Sequence, residues 1–236
     1  MNHDTRVQQF VQDPSAYQRP PLLKDSFKAL YRRIEALGPA SILDIGCANG
    51  DFLHFLPDTI TAVGIDSSPD LIQQARQRNH AKPRLAFRTA DILAPDALDP
   101  YTPGTFDMVT IVGALNGFLD FRPPLERALS LRPKWILIHA PFNEAPIDTR
   151  HYHRLSGDTG DYQSAFSLHS LASVSDYLTR AGVRSHRFLP FDMETTLERN
   201  AEAPLRNYHV VLQNGERRLT NGVGILFKEY ILEIEH

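Results

Sequence analysis

The chain contains 236 residues, of which 42% are hydrophobic and 22% are charged, proportions that are ordinary for a soluble globular protein. The length is sufficient for one large α/β domain with a full core. A formal net charge of −3 gives no general attraction to phosphate backbones, so we expect no nucleic-acid partner.

Cysteine usage and the amino terminus bear on the compartment. Cys47 is the single cysteine, so an internal disulfide is excluded and a reducing compartment is indicated. The first residues do not resemble a signal peptide, and no apolar run approaches the ~18 residues that span a membrane. We therefore expect a cytoplasmic protein without a membrane partner.

The amino-terminal segment divides into a polar arm and a helix. Residues 1–21 are polar and contain three prolines, which predicts little regular structure at the start. Apolar residues then recur at alternating spacings of four and three, which predicts one apolar stripe on a helix that stops at Gly38. The stripe comprises Leu23, Phe27, Leu30, Ile34 and Leu37.

The stretch from Ile42 to Leu53 has the pattern of a nucleotide-binding loop. A short apolar run, a glycine-containing turn and a resumed helical spacing predict a buried strand, a tight loop and a helix start. Gly46 and Gly50 lack a Cβ, so a ligand can approach the main chain closely. Asp44 stands at the carboxyl end of the strand, where open α/β sheets bind ligands. The alternative is a strand-to-helix turn that binds nothing.

Spacing and charge indicate which nucleotide this loop suits. The glycines do not follow the G-x-G-x-x-G pattern of dinucleotide loops, and acids stand on both sides at Asp44 and Asp51. A carboxylate repels a pyrophosphate and attracts an ammonium group. The pattern therefore favours a positively charged ligand without phosphates over NAD.

A second acid follows at the matching interval. Asp66 ends the next predicted strand, 22 residues after Asp44, where Rossmann-like units place a carboxylate that binds both ribose hydroxyls. Ser68 then predicts a helix N-cap, with Pro69 in the first turn and Asp70 at the positive end of the helix.

At these residues the sequence resembles the class I methyltransferases that use S-adenosylmethionine, whose first motif is acid-x-Gly-x-Gly-x-Gly. Ala48 stands at the position of the middle glycine. The resemblance implies that Asp91 accepts from the adenine amino group, that Ile92 packs on the ring, and that the main chain near Val112 and Gly113 lines the methionine end. The cofactor residues expected are Asp44, Gly46, Cys47, Ala48, Asn49, Gly50, Asp66, Ser67, Asp91, Ile92, Val112 and Gly113.

Alternating strands and helices across the core predict a parallel sheet with right-handed crossovers. The resemblance implies a Rossmann-like, seven-stranded, mostly parallel sheet with helices on both faces and an antiparallel last strand. We expect one domain over 1–236. Its parts are an arm and helix (1–38), a cofactor-binding core (39–142), an active-site loop (143–166), and a carboxyl-terminal region of helix, strands and hairpin (167–236).

The carboxyl-terminal region carries three further signals. A helical stripe begins at Leu171 and ends at Gly182, and a sixth strand is predicted from Val183 to Phe191. Asn214-Gly215 between two alternating runs predicts a tight β-hairpin inserted before the last strand, which is predicted to run from Gly222 to Ile234.

Two residues are candidates for catalysis. His139 closes the fifth predicted strand and can exchange a proton near neutral pH, so it is our first choice for a general base. The alternative is a histidine that hydrogen-bonds backbone and holds the following loop. Asn116 follows the fourth strand, but it lacks the Pro-Pro-Tyr context of methyltransferases that act on nucleobases or protein glutamine, which argues against those acceptors.

Two further groups are candidates for acceptor binding. Basic residues alternate about an aromatic in the expected active-site loop, and this pattern suits an anionic acceptor, although a solvated surface explains it equally well. Because the resemblance implies that the amino-terminal segment folds over the cofactor, two arm residues are further candidates, with a surface role as the alternative. The residues are Tyr17, Arg19, Arg150, His151, His153 and Arg154. We predict no metal, because the clustered Asp and Asn ligands of catechol-type O-methyltransferases have no counterpart in this sequence.

The leading hypothesis is a methyltransferase that uses S-adenosylmethionine on a small molecule, at a hydroxyl or carboxyl oxygen of a sugar-like or anionic metabolite. The tail, with Phe191-Asp192-Met193, the Asn214-Gly215 hairpin and the closing run from Gly222 to Phe227, resembles bacterial methyltransferases that are often associated with surface-sugar or secondary-metabolite pathways. The alternatives are a module that binds the cofactor without turnover and an NAD-dependent oxidoreductase, which the loop spacing disfavours.

Overall fold

The computed structural model describes residues 20–154 and 164–236. The helices are α1 (Asp25–Leu37), α2 (Asp51–His54), α3 (Pro69–Arg78), α4 (Arg122–Ser130) and α5 (Leu171–Ala181), with a 3-10 helix at Leu115–Gly117. The strands are β1 (Ser41–Ile45), β2 (Thr61–Asp66), β3 (Leu85–Thr89), β4 (Met108–Val112), β5 (Trp135–Asn143), β6 (Thr149–His153), β7 (Ser164–Ser170), β8 (Ser185–Phe191), β9 (Tyr208–Val211), β10 (Arg217–Thr220) and β11 (Lys228–Glu235).

The main sheet has nine strands, seven of which lie side by side in the order β3-β2-β1-β4-β5-β11-β8, while β6 and β7 join it at the end of β5. Strands β1 to β5 pair in parallel, and β11 inserts antiparallel between β5 and β8. The predicted mostly parallel sheet with an antiparallel last strand is confirmed. From β1 the chain proceeds outward to β2 and β3, and it then returns to place β4 on the other side of β1. The strand order therefore reverses between β1 and β4, and a crevice opens at the carboxyl ends of these two strands.

Helices cover both faces of the sheet, as predicted. One core joins α4 and α5 to the sheet, and the other joins α1, α2 and α3 to the opposite face. The central strands are apolar on both sides: Ile42 faces the core with α1, whereas Leu43 faces the core with α4. Strands buried on both faces are typical of parallel sheets covered by helices.

The helix termini follow the signals in the sequence. Ser68 caps α3, where its Oγ accepts from Leu71 N at 3.3 Å, and Pro69 occupies the first turn. Gly38 ends α1 with φ +63°, a left-handed conformation that costs glycine little. Gly182 ends α5 in the same way, with φ +74°.

The described part of the expected active-site loop, residues 143–154 and 164–166, contains β-strand, and residues 155–163 of that loop lie outside the described residues. Strand β6 lies in this range, and β7 begins in it and pairs antiparallel with β6 and parallel with the end of β5. The sequence of β6 is polar, so its local pattern carries no strand signal. The β6–β7 ribbon forms because Phe166 and Leu168 pack on Leu219 and Phe227 of the carboxyl-terminal region.

The inserted hairpin is present, with a longer turn than a two-residue connection. Strands β9 and β10 pair antiparallel, and Leu212 N donates to Glu216 O at 2.9 Å. Gly215 takes the left-handed position with φ +81°. This arrangement matches a three-residue hairpin loop with a glycine bulge. The last strand begins at Lys228 instead of Gly222, because Gly222 N is held by the carbonyl of Pro204 at 2.7 Å.

None of the helices in the described ranges combines the length and the hydropathy that crossing a bilayer requires.

Candidate functional site

A cavity of about 280 Å³ lies at the carboxyl ends of β1, β2 and β4. It is bounded by the loop after β1, the end of β2, the segment after β3, the turn after β4 and the start of α1. The lining residues are Lys24, Phe27, Asp44, Ile45, Gly46, Cys47, Ala48, Asn49, Asp51, Phe52, Ile65, Asp66, Ser67, Leu71, Ala90, Asp91, Ile92, Val112, Gly113, Ala114, Gly117 and Phe118. All the expected cofactor residues except Gly50 belong to this lining.

The loop after β1 is held tightly against β2. Gly46 N and Cys47 N both donate to the carbonyl of Ile65, at 2.8 and 3.0 Å. Gly46 has φ +75°, and a Cβ at this position would lie 2.7 Å from the Cβ of Ala114. Glycine is therefore required there both by the backbone conformation and by the close approach of the turn after β4.

Two further positions of the loop depend on the left-handed conformation. Gly50 has φ +76° and lies against Phe87 and Asn79, so it shapes the loop from behind without lining the cavity. Ala48 has φ +48°, a conformation that disfavours side chains with a Cβ. The positive φ explains why glycine suits the middle position of the motif, and Ala48 bears a backbone strain of about 1–2 kcal/mol.

Asp66 connects the loop to the second strand. Its carboxylate accepts from Ala48 N and Ser68 N, both at 2.9 Å. Burial raises the pKa of Asp66, and the two backbone hydrogen bonds counter that rise. Each carboxylate oxygen has two lone pairs, so both retain the capacity to accept from a ligand hydroxyl.

Asp44 is a buried acid with one hydrogen-bond partner in the part of the chain that the structure describes. It is 1% exposed and accepts from Thr110 Oγ1 at 2.7 Å. Burial raises the pKa of Asp44 to about 7, and the nearby Asp66 adds to the effect. A positively charged ligand group near Asp44 would favour its ionised form, because it supplies the countercharge that burial removes.

Asp51 behaves differently from Asp44. It lines the cavity, but its carboxylate forms a buried ion pair with Arg78 of α3. The inference from sequence that acids flank both sides of the loop therefore needs correction, because Arg78 compensates one of the two charges. Among the described residues, no basic side chain forms an ion pair with Asp44, which accepts from Thr110 instead.

The third acid lies beyond β3. Asp91 is exposed and accepts from Leu93 N at 3.0 Å, and the neighbouring Ile92 is 4% exposed. Both line the cavity beside Leu71, so this wall offers an acceptor next to an apolar surface.

The residues present fit the cofactor that the resemblance implies. Asn49 Nδ2 is buried, has no hydrogen-bond partner among the described residues and belongs to the cavity lining, so a ligand acceptor there would satisfy it. Four carboxylates and one basic side chain, Lys24, line the cavity. This charge balance suits a cationic nucleoside and opposes a pyrophosphate.

Neither expected catalytic residue lines the cavity. His139 lies on β5 beside Val112, is 6% exposed, and has its Nε2 atom 3.2 Å from Oε2 of Glu229 without the alignment of a hydrogen bond. Its ring packs edge-on against Phe191, 5.3 Å between centroids. Asn116 belongs to the 3-10 helix, whose neighbouring residues Ala114 and Gly117 do line the cavity.

The expected acceptor residues do not share one surface, because alternation along β6 sends neighbouring side chains to opposite faces. Tyr17 and Arg19 lie outside the described residues. On β6, Arg150 is paired with Ser167 of β7, and its charge helps to lower the pKa of Asp120 after the 3-10 helix. His151 pairs with Phe166 and therefore points to the opposite face of the ribbon. The five alternating residues thus do not form one patch: Arg150 and Tyr152 belong to one face, His151 and His153 to the other, and Arg154 follows the end of the strand.

Several lining residues were missed by the sequence analysis. Lys24 and Phe27 come from the start of α1, Phe52 from α2, and Phe118 from the end of the 3-10 helix. The apolar stripe of α1 includes Phe27, but periodicity alone does not separate a core residue from one that also borders a cavity. Within the described residues, no group of three or more His, Cys, Asp or Glu side chains is arranged to hold a metal ion.

Comparisons with known proteins agree with this architecture. The sequence matches the profile of a family described as a methyltransferase domain over residues 39–170, more than half of the chain. No curated protein sequence matches significantly.

Solved structures with the same fold share little sequence. The N-terminal domain of EvdMO1, solved in the presence of S-adenosylhomocysteine and D-fucose, aligns over 100% of this chain and 99% of its own, with a TM-score of 0.62 and 12% identity. YcgJ from Bacillus subtilis aligns over 89% and 98%, with a TM-score of 0.56 and 12% identity. The carbon methyltransferase of CurJ aligns over 89% and 52%, with a TM-score of 0.55 and 13% identity.

From the family match, the strand order and the acid-lined cavity together, the chain belongs to the methyltransferase domain family and is a class I methyltransferase that uses S-adenosylmethionine.

Proposed function

We propose that this methyltransferase acts on an oxygen of a small, sugar-like or anionic molecule. The cofactor part of the proposal rests on the cavity, in which Asp44, Asp66 and Asp91 from three successive strand ends meet the glycine loop. This arrangement provides one acid for each polar part of the cofactor. It leaves the turn after β4 to face the acceptor. The observation that carries the acceptor part is the charge of Arg150, which acts on Asp120 after the 3-10 helix.

Within the proposal, each acid has a separate role. Asp66 accepts from the ribose hydroxyls with the lone pairs that Ala48 N and Ser68 N leave available. Asp91 accepts from the adenine amino group while Ile92 packs on the ring. Asp44 attracts the ammonium group of the methionine portion. The roles follow from charge and from the order of the strand ends around the cavity.

The acceptor side is formed by the turn after β4. Gly113 has φ +72° and nothing within 4 Å of a would-be Cβ, so the main chain borders open space there. Gly117 and Phe118 continue this wall, and the cation of Arg150 is close enough to act on Asp120 beside it. The charge of Arg150 supports an anionic acceptor, and the similarity to the EvdMO1 domain that was solved in the presence of D-fucose supports a sugar.

Bound S-adenosylmethionine supplies a methyl group already activated by its positive sulfur. The contribution of this chain is to hold that group in line with the acceptor atom and to exclude water. The apolar side chains of Phe27, Phe52 and Phe118 border the cavity and remove water from the reacting atoms. His139 remains a candidate base; it lies behind Val112, next to the acid of Glu229.

The cofactor roles are tested by isothermal titration with S-adenosylhomocysteine. Asp66→Asn and Asp66→Ala each remove the charged ribose acceptor, and we expect the dissociation constant to rise at least ~10-fold, corresponding to about 1.4 kcal/mol. Asp58→Ala removes an exposed acid outside the cavity lining and should bind like the wild type. Unchanged affinity in both Asp66 variants would contradict the placement of the ribose.

The acceptor class is tested by methyl transfer to a panel of small molecules. The panel contains monosaccharides, beginning with D-fucose, together with hydroxy acids, sugar phosphates and amines. Mass spectrometry identifies the methylated atom. Products confined to amines or carbon acceptors would reject the proposed oxygen acceptor, whereas tight cofactor binding without any product would favour a binding module.

A further inference from the structure

The connection between β3 and β4 carries one wall of the cavity. It comprises residues 90–107, all of which the structure describes, and contains neither a helix nor a strand. Asp91 and Ile92, which line the cavity, stand at its beginning. Connections of this length without secondary structure are uncommon in compact domains and are often functional. The contacts that fix this connection therefore also fix where Asp91 presents its carboxylate.

Residues 91–97, which we call the Asp91 turn, bond to one another. The Oδ1 atom of Asp91 accepts from Leu93 N at 3.0 Å, and the carbonyl of Asp91 accepts from Ala94 N at 2.8 Å. Ala97 N donates to the carbonyl of Ala94 at 3.2 Å. Because the chain forms no helix here, the other carbonyls of the turn need donors from water or from other elements.

Two arginines from neighbouring elements donate to those carbonyls. Nη2 of Arg127, on α4, donates to the carbonyls of Ala94 and Pro95, at 3.1 and 2.8 Å. Nη2 of Arg88, on β3, donates to the carbonyl of Ala97. Hydrogen bonds from a charged donor are stronger than bonds between neutral groups. The Asp91 turn is therefore clamped from the sheet and from a helix.

Both arginines stand on supports that are fixed by the core. Leu125 and Ala128, on either side of Arg127 in α4, are fully buried against the sheet. Arg88 lies in register with Ile65 of β2. Neither arginine belongs to the cavity lining, so an effect of either one on a bound ligand passes through the Asp91 turn.

We propose that Arg127 and Arg88 are positioning residues for recognition of the adenine base, a role that rests on the proposed function of Asp91 as the acceptor of the adenine amino group. The two guanidinium groups hold the Asp91 turn in one conformation before the cofactor arrives. That conformation keeps the Asp91 carboxylate beside the apolar side chain of Ile92, where the amino group meets it. The base preference of the cavity then depends on a side chain of α4 that does not touch the cofactor.

Base preference is measured by isothermal titration with S-adenosylhomocysteine and with S-inosylhomocysteine, in which a carbonyl oxygen replaces the amino group. Asp91 attracts the amino group and repels that oxygen, so the wild type should bind the adenine ligand at least ~10-fold more tightly. Asp91→Ala removes the acceptor and should bring the two dissociation constants to within about threefold of each other.

The arginine variants should lose the same preference. Arg127→Met keeps the apolar stem and removes the guanidinium, and we expect the ratio of the two dissociation constants to fall at least about threefold. Arg127→Lys keeps one charged donor and should restore part of the ratio. Arg88→Met combined with Arg127→Met should approach the ratio of Asp91→Ala. Arg76→Met is the matched control, because Arg76 on α3 donates to the carbonyl of Phe87, outside the turn, at 2.9 Å and should keep the wild-type ratio.

The ratio separates positioning from a loss of stability, because a partly unfolded variant weakens both ligands by the same factor. A wild-type ratio in the double arginine variant would overturn the positioning role and leave Asp91 as the adenine acceptor. Equal affinity of the wild type for the two ligands would instead overturn the proposed role of Asp91, and the positioning role with it.

Amide hydrogen exchange of the wild type tests the clamp without any variant. Because the arginines hold the turn in the absence of ligand, the amides of Ala94 and Ala97 should already be protected in the free protein. S-adenosylhomocysteine should slow their exchange by no more than about threefold further. Exchange of both amides at the rate of an unstructured chain, slowed only when the ligand binds, would overturn the clamp.

Discussion

At the scale of single residues, the cofactor site is built on carboxyl groups with unequal environments. Asp51 is paired with Arg78, Asp66 accepts two backbone hydrogen bonds, and Asp44 has one hydroxyl donor in a buried position. A buried carboxylate without a countercharge is costly, so Asp44 holds its proton more strongly than an exposed acid. The pKa of Asp44 is therefore the one that a bound cation should lower most.

Cofactor binding should depend on pH through Asp44. Because the pKa of Asp44 is raised to about 7, ligand-induced ionisation releases a proton below that pH. We expect the affinity for S-adenosylhomocysteine to rise between pH 6 and pH 8, and calorimetry in buffers of different ionisation enthalpy to detect the released proton at pH 6. Asp44→Asn should abolish both effects. A wild-type affinity that is flat over this range would contradict the role of Asp44.

The same acid should shape the stability of the ligand-free protein. The pKa of Asp44 is raised from 3.8 in the unfolded chain to about 7 in the folded one, so the folded state binds more protons between these values. Its contribution to stability is complete below pH 4 and is lost as pH rises to about 7. In urea titrations, Asp44→Asn should lose less stability than the wild type over this interval. Asp58→Asn, at an exposed acid, should follow the wild type.

At the scale of elements, the turn between β1 and α2 depends on contact with the turn after β4. The Gly46 backbone approaches Ala114 so closely that a methyl group at Gly46 would meet the Ala114 methyl at 2.7 Å. Strand order places the two turns side by side, since β1 and β4 are neighbours. The cavity shape is therefore set jointly by two segments more than sixty residues apart.

Comparing alanine substitutions at Gly46 and Gly104 should separate the stability cost of the contact with Ala114 from the cost of backbone strain. Gly104 has φ +82° with nothing within 4 Å of a would-be Cβ, so Gly104→Ala should cost about 1–2 kcal/mol for its conformation alone. Gly46→Ala combines the same strain with overpacking, and we expect it to cost about 1–3 kcal/mol more. Urea denaturation of both variants measures the difference. Equal losses would show that Ala114 yields without cost.

At the scale of the whole molecule, the cavity draws on α1, α2 and four strand ends. A ligand in the cavity contacts segments that come together only in the folded chain. It therefore binds the folded state and stabilises it by mass action. The cavity lining has four carboxylates and one lysine, and this charge balance determines which nucleotides bind and stabilise the fold.

Thermal unfolding should therefore report the specificity of the cavity. At 100 times its dissociation constant, S-adenosylhomocysteine adds about 2.7 kcal/mol of stability. For a chain of this size each kcal/mol raises Tm by about 2–4 °C, so we expect a shift of roughly 5–11 °C in scanning fluorimetry. NAD at the same concentration should shift Tm by less than about 1 °C, since its phosphates meet carboxylates. A larger shift with NAD would contradict the charge argument that the cavity carboxylates exclude a pyrophosphate.

Local sequence determined the cofactor half of this protein. The strand ends at Asp44 and Asp66, the cap at Ser68 and the helix stop at Gly38 are all decided within a few residues of each position, by apolar periodicity, capping chemistry and positive φ. Strand alternation predicted the parallel sheet and the acid spacing predicted Asp44 and Asp66 at the cavity, whereas the expectation for Asp91, Ile92, Val112 and Gly113 came from the resemblance to class I methyltransferases.

Only the tertiary structure decided the acceptor half. The polar stretch around Arg150 becomes a strand because β7 pairs with it, and that pairing sends neighbouring basic residues to opposite faces. His139 packs beside Glu229 through a contact between segments far apart in sequence. Long-range pairing and burial set these environments, and local periodicity contains no information about them.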